Sequence, residues 1–477
     1  MFARRSAIVP ERAGSPNAHS QKTLVLHHGA RNYFCMDAHL EQLFDFLRFP
    51  SISTDRAYSD HVSACGEWLY TKFTSMGLRA DVNGTPGHPI IVARNGHRAD
   101  RKTVLIYGHY DVQPVDPLNL WDSPPFEPVI RDGRIYARGS TDNKGQILAH
   151  IIGVEETLKR DSDLPVNVIF LIEGEEEIGS PNLGAFLQRN REALRCDAIA
   201  ISDTGMVAPG VPTLTYSLRG IASLEVKVSG PAMDLHSGIY GGAVMNPISA
   251  LARMLATLHD AEGRVAVPGF YDGVAPLQDW EKESWAKLPL DDNAVWEITG
   301  VPELFGEHGY SALERVWARP TIEINGIGGG YQGEGTKTVI PREAFAKLTF
   351  RLVPNQRPEQ VVEQVRKHLE RVSPAAVRVE FSGGHTGEPF FTDPNSAPAK
   401  AAQRALVRTF GGEVALIREG GSIPILQAFK DVLGAEILLL GLALPDCRAH
   451  SPNENFPVEN FAAGIRLNQA LLEELSR

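Results

Sequence analysis

Apolar and polar positions change their period along the chain, and the changes divide it into parts. Residues 37–48 carry Leu40, Leu43, Phe44 and Leu47 at helical spacing, and a second helical pattern covers residues 59–76. Strand-like runs follow in "PIIVAR" and "TVLIYGH". After "STDNKG" come a helical "QILAHIIGVEETLKR", the continuous apolar run "VNVIFLIEG", a further helical stretch and "AIAIS". Strands alternating with helices predict an α/β domain whose mainly parallel sheet is covered by helices.

The period changes near Thr213. "TYSLRGIASLEVKVSG", "PTIEING" and "EAFAKLTFRLVP" alternate apolar with polar residues, as half-exposed antiparallel strands do, and helical runs lie at residues 246–259 and 358–372. From about Thr386 the α/β character returns, with a helix over residues 397–410 and the apolar strand "AEILLLGLAL". The middle part reads as an α+β domain, residues 213–385, inserted into an α/β domain made of residues 36–212 and 386–477. Residues 1–35 sustain no period, so they are expected to be a poorly ordered extension, with folded structure beginning near Met36, itself a candidate start. No internal repeat is visible.

Composition narrows the function classes. The chain has 477 residues, 43% hydrophobic and 22% charged, enough for two domains with full cores. A formal net charge of -11, with no block of Lys or Arg, argues against nucleic acid as a partner. No apolar stretch reaches the roughly 20 residues of a membrane helix, and the N-terminus lacks the apolar core of a signal peptide. Cys35, Cys65, Cys196 and Cys447 lie far apart without CxxC spacing, which fits a reducing, cytoplasmic setting.

In open parallel sheets ligands gather beyond the carboxyl ends of the strands. "TVLIYG" runs into His109, Tyr110 and Asp111; "VNVIFLI" into Glu173, Glu175, Glu176 and Glu177; "AIAIS" into Asp203; "AEILLLGLAL" leads to His450. Taken singly these residues are ordinary. HxD reads as a hydrogen-bonded pair, Asp142 in "RGSTDNKGQ" as a helix cap, Asp203 as a cap or turn residue, and His450 as a loop histidine. The glutamates are harder to dismiss, because like charges roughly 4 Å apart repel by about 4 kcal/mol at an effective dielectric near 20. An exposed acidic turn is the bland alternative. Imidazoles and carboxylates at separate strand ends form a mixed N/O set suited to zinc, manganese or cobalt.

Three patterns are set aside. Gly328, Gly330 and Gly333 satisfy GxGxxG, but "EGTKTVIP" after them reads as loop and strand, not as the helix that would hold a pyrophosphate. Ser422 in "REGGSIP" does not fit a GxSxG elbow. Nothing marks Cys447 as a nucleophile.

In order, "GHYDVQP", "RGSTDNKG", "EGEEEIGS", "ISDTG", "DLHSGIYGG", "KTVIPREA" and "REGGSIP" resemble the motifs of the two-metal zinc peptidases, which include glutamate carboxypeptidase, acetylornithine deacetylase and succinyl-diaminopimelate desuccinylase. The pattern is most similar to the cytosolic non-specific dipeptidase and carnosinase branch. The resemblance runs from about Met36 to the C-terminus and implies a phosphorylase/hydrolase-like α/β catalytic domain interrupted by an α+β lid and dimerisation domain. It makes Asp142 a carboxylate bridging two divalent ions, most often zinc, with His109 and Asp203 on one and Glu177 and His450 on the other. Glu176 becomes the general base that takes a proton from metal-activated water, and Asp111 supports His109 from behind. The peptide bond after Asp142 is expected to be cis.

The same resemblance implies a homodimer through residues 213–385, in which His236 of "DLHSG" reaches the partner's site to stabilise an oxyanion. On the residue alone, His236 reads as a buried, hydrogen-bonded histidine. Thr338, Arg351, His385, Gly421 and Ser422 are implied around a small peptide substrate, Arg351 and Ser422 near its carboxylate and Glu419 near its free amine. "TDPNSAPAKAA" lacks the histidine-rich segment of the mammalian dipeptidases, so a preference for carnosine is not implied. The implied activity is metal-dependent dipeptide hydrolysis. An N-acyl amino acid deacylase is the nearest alternative, and a metal-free binding or scaffold protein is the alternative of another class.

Overall fold

The computed structural model describes residues 25–477 apart from Pro424; the side chains of residues 25–35 and of His385 lie outside the description. A nine-stranded mixed sheet runs from Arg79–Asn83 through Ile90–Arg94, Asn167–Glu173, Thr103–His109, Ala198–Ile201, Glu436–Leu439 and Thr213–Leu218 to Phe390–Phe391, with Ala415–Glu419 also paired to Thr213–Leu218. Its centre is parallel and its flanks are antiparallel. The central runs are apolar throughout because both faces are covered. Val104 and Ile106 pack towards helices Ser59–Ser75, Lys144–Asp161, Ala397–Phe410 and Val458–Ser476, whereas Leu105 and Tyr107 pack towards Leu183–Arg189 and Ile425–Leu433.

The inserted part is built on a four-stranded antiparallel sheet in the order Thr321–Gly329, Glu343–Leu352, Gly220–Ser229, Arg378–Gly387. Alternation along Gly220–Ser229 turns Ala222, Leu224, Val226 and Val228 towards helices Pro247–Leu255 and Pro358–Val372. Ile324 and Ile327 on the edge strand Thr321–Gly329, and Phe345 on the open face, are exposed. No helix follows the three glycines of the GxGxxG pattern: Gly328 belongs to a strand, and the next element is the strand Val339–Ile340.

Three expectations shift. The first helix spans Val25–Leu47, so the line drawn at residue 35 falls inside it; residues 1–24 lie outside the described residues. "TYSLRGIASLEVKVSG" is not one unit of the inserted domain, because Thr213–Leu218 is a fully buried strand of the large sheet and the inserted sheet starts at Gly220. The insertion likewise runs past residue 385, to Gly387. Helices Asp279–Trp285 and Ala312–Ala318, within the inserted sequence, pack Trp285 and Trp317 against Tyr216, Ala415 and Ile417 of the large sheet. Arg418, Glu281 and Tyr216 form a buried hydrogen-bonded group across that junction.

Candidate metal centre

The carboxyl edge of the large sheet gathers side chains from five places in the sequence. His109 ends Thr103–His109, and Asp203 follows Ala198–Ile201 by two residues. Glu176 and Glu177 open a short 3₁₀ turn after Asn167–Glu173. Asp142 lies just ahead of helix Lys144–Asp161, and its peptide bond to Asn143 is cis, as the resemblance implies. Gly108 makes room for that turn, since a Cβ there would come within 2.8 Å of Asn143 Oδ1 and 2.9 Å of Ile147 Cδ1. His450 is presented by a loop in which Arg448, His450 and Asn453 have φ of 57°, 59° and 63°, a left-handed backbone that costs non-glycine residues energy and is held by its surroundings.

Two ligand groups share Asp142. His109 Nε2 lies 3.2 Å from Asp142 Oδ1 and 3.8 Å from Asp203 Oδ2; His450 Nε2 lies 2.8 Å from Asp142 Oδ2 and 3.3 Å from Glu177 Oε2. Within each group the ligand atoms lie within 4.8 Å of one another. His109 Nε2 is buried and makes no hydrogen bond, although carboxylates surround it. An orphaned ring nitrogen facing carboxylates suits a divalent cation, and the N/O set matches zinc, manganese or cobalt chemistry.

Acidic groups crowd this edge around His109 and His450. Burial raises the Glu176 carboxyl well above its ordinary value, and Asp203, Glu177 and Asp142 add to the rise against the pull of His109. Burial and Asp142 push Glu177 up to about 7. Burial works against a charged His109, but Asp111, Asp142 and Asp203 outweigh it and hold the imidazole well above its usual range. Asp142 is held well below the carboxylate range, burial notwithstanding, by the neighbouring His109 and His450 imidazoles.

The support is denser than the sequence indicates. Asp111 is fully buried; its Oδ1 stands 3.3 Å from His109 Nδ1, and its two oxygens accept from the backbone N–H of Glu176 at 3.2 Å and Glu177 at 3.1 Å. One carboxylate thus fixes a histidine ring and the turn carrying both glutamates. Asn143 Nδ2 donates to Asp203 Oδ1 at 2.9 Å, and Gln113 Nε2 to Glu177 Oε2 at 2.8 Å. Buried Glu454 pairs with Arg138 at 2.9 Å and accepts from the N–H groups of Gly139, Thr141 and Asp142, fixing the Asp142 turn. Sequence reasoning missed Asn143, Gln113 and Glu454, although each stands within four residues of a predicted ligand. Glu173 and Glu175 are buried, not solvent-facing: Tyr107 and Ser180 donate to Glu173, and Asn182 and the His88 N–H to Glu175.

Two cavities of opposite charge flank the strand end at Glu419. One of about 360 Å³ is lined by Asp142, Asp203 and Glu419 with apolar walls that include Met206 and Trp317. Glu419 accepts the Gly205 N–H at 3.0 Å, and burial pushes it up to about 7. The other, about 320 Å³, is lined by Arg219 and Arg351 among others. Arg351 Nη1 donates to Ser422 Oγ at 3.1 Å, and Gly421 is exposed beside it. His236 and Thr338 are elsewhere: His236 pairs with Val339 in a two-stranded ribbon, is exposed rather than buried, and its Nδ1 accepts only the nearby Gly238 N–H among its described contacts. His385 lies on the strand Arg378–Gly387, and its side chain is outside the described residues.

The model of peptidase family M20/M25/M40 matches residues 105–474, which hold every ligand above. The chain belongs to this family. Among relatives, it is 32% identical over 456 residues to the Cys-Gly metallodipeptidase dug1 of Schizosaccharomyces pombe, covering 92% of this chain and 96% of that protein. It is 35% identical over 406 residues to the Beta-Ala-His dipeptidase of Mus musculus, covering 83% of this chain and 82% of that protein. The fold of this peptidase superposes on the crystal structure of human carnosine dipeptidase 1 with a TM-score of 0.80 at 30% identity, covering 95% and 99% of the two chains. Among its described residues no helix is long and apolar enough to cross a membrane.

Proposed function

We propose that the chain is a dipeptidase that hydrolyses the peptide bond of dipeptides with two divalent ions, assigned as zinc, in the groups His109–Asp142–Asp203 and Asp142–Glu177–His450. The observation that carries this reading is the sharing of Asp142 by two ligand groups, with Glu176 beside them in neither. Metal ions bound there supply Lewis acidity, polarising the substrate carbonyl and lowering the pKa of water.

The remaining roles fall to the protein. Glu176, raised by burial and by its acidic neighbours, takes the proton of the attacking water and returns it to the leaving amine. Asp111 keeps that carboxylate and the His109 ring in register through the hydrogen bonds described. The substrate ammonium is assigned to Glu419, whose buried carboxylate has a single backbone donor, and the carboxylate end to Arg351 and Ser422, with His385 and Gly421 around it. A site with an anionic and a cationic end fits a free dipeptide, which is itself a zwitterion.

His236 and Thr338 belong to a second copy's site in this reading, in a homodimer formed through the inserted domain. Their exposure and the exposed Ile324, Ile327 and Phe345 support it. The N-acyl amino acid deacylase alternative leaves Glu419 without a cation, and the metal-free scaffold alternative is disfavoured by the full ligand set. Assays of zinc- and manganese-loaded protein on simple dipeptides and on acetyl- and succinyl-amino acids test the choice. Hydrolysis of dipeptides is the expected result; activity confined to acylated substrates overturns it.

A further inference from the structure

Arg219 is the single residue between Thr213–Leu218 of the large sheet and Gly220–Ser229 of the inserted one. Its backbone N–H donates to Glu419 O at 3.2 Å, and its Nε donates to Gly420 O at 3.3 Å. The guanidinium lies close against that backbone, since a Cβ on Gly420 would come within 2.8 Å of Arg219 Nη2. Ser422 joins it to Arg351: the hydroxyl donates to Arg219 O and accepts from Arg351 Nη1.

The cavity these two arginines share holds an excess of positive charge. Arg219, Arg315, Arg319 and Arg351 line it with Glu307 and Glu323. Arg319 and Glu307 neutralise each other at 2.8 Å. Arg315 donates its Nε to a carbonyl, that of Glu307, at 3.0 Å. Among the described residues no carboxylate lies within ion-pair distance of Arg219, Arg315 or Arg351, and Glu323 is exposed. Burial and the neighbouring Arg351 push the Arg219 guanidinium down to about 10 against the opposing pull of Glu323.

We infer that Arg219 gives this chain a preference for dipeptides whose C-terminal residue is aspartate or glutamate. The inference rests on the dipeptidase reading. An α-carboxylate held by Arg351 and Ser422 neutralises one of the two guanidiniums that line the cavity and leaves the other unmatched. In aspartate and glutamate a second carboxylate stands only one or two methylenes away, within the span of a shared cavity. It supplies the missing charge, and the matching amide of asparagine or glutamine does not.

The test compares kcat/KM for Ala-Glu with Ala-Gln, and for Ala-Asp with Ala-Asn, on the metal-loaded full chain. The acid is expected to be favoured by about tenfold or more, the size of one charge-assisted hydrogen bond. Within Arg219→Gln the ratio is expected to fall to about one, and Arg219→Lys to keep part of it. A ratio of one or less in the parent protein overturns the inference without any variant, as does a ratio unchanged in Arg219→Gln. Turnover of both members of each pair at equal rates overturns this preference alone; turnover of no dipeptide overturns the dipeptidase reading and takes the preference with it.

Discussion

The large sheet and the inserted domain of this protein treat their polar residues differently. In the large sheet, His109, Glu176, Glu177 and Asp203 all follow neighbouring strands, and they meet within a few ångströms although nearly a hundred residues separate the first from the last. In the inserted domain, His236 and Thr338 lie together at an exposed two-stranded ribbon and touch none of the candidate ligands through their described contacts. Strand direction explains the contrast. Parallel strands deliver every carboxyl end to one edge, whereas antiparallel strands send successive ends to opposite edges. The first arrangement gathers side chains from one chain at a single edge; the second spreads them.

The largest expected effect lies on the convergent side. Glu176→Gln should lower kcat by about 10² to 10⁴, the range for loss of a general base, while metal content stays at the parent level by elemental analysis. Loss of metal in this variant would mean that Glu176 is a ligand and that the division of labour with Glu177 is wrong. The next tests the isolated side: His236→Ala should lower kcat by about 10² to 10³, as removal of an oxyanion donor does. Mixing it with Glu176→Gln should restore activity, because a mixed dimer contains one site with both groups. Two inactive parents that stay inactive after subunit exchange would return His236 to a role within its own chain.

A smaller effect measures how tightly the convergent site is tied together. Asp111→Asn keeps the side chain's shape but removes the charge that steadies His109 and the Glu176–Glu177 turn. Metal affinity should fall about 10- to 100-fold, read by competition with a chelator. Unchanged affinity would show that the turn is held without it.

Legibility followed local against distant causes. The candidate ligands His109, Glu177 and Asp203 could be singled out because each stands at or shortly after the end of an apolar run, and the run announces a strand whose end faces the sheet's edge. The boundary near residue 213 was misplaced because Thr213–Leu218 and Gly220–Ser229 carry nearly continuous β-forming sequence, and only pairing with Ala415–Glu419 assigns the first to the large sheet. Glu454 carries no local signal of its role. Its role depends on Arg138 and the Asp142 turn, more than three hundred residues away in sequence.

By itself, the sequence determined the alternation of strands and helices, the inserted domain and the chemical character of the ligands, since periodicity and side-chain type are properties of short stretches. Only the tertiary structure decided that Asp111 ties His109 to the Glu176–Glu177 turn, that Glu454 fixes the Asp142 turn, and that Arg219 and Arg351 line one cavity. Such relations depend on distances between segments that meet only when the sheet is assembled, and no local pattern encodes them.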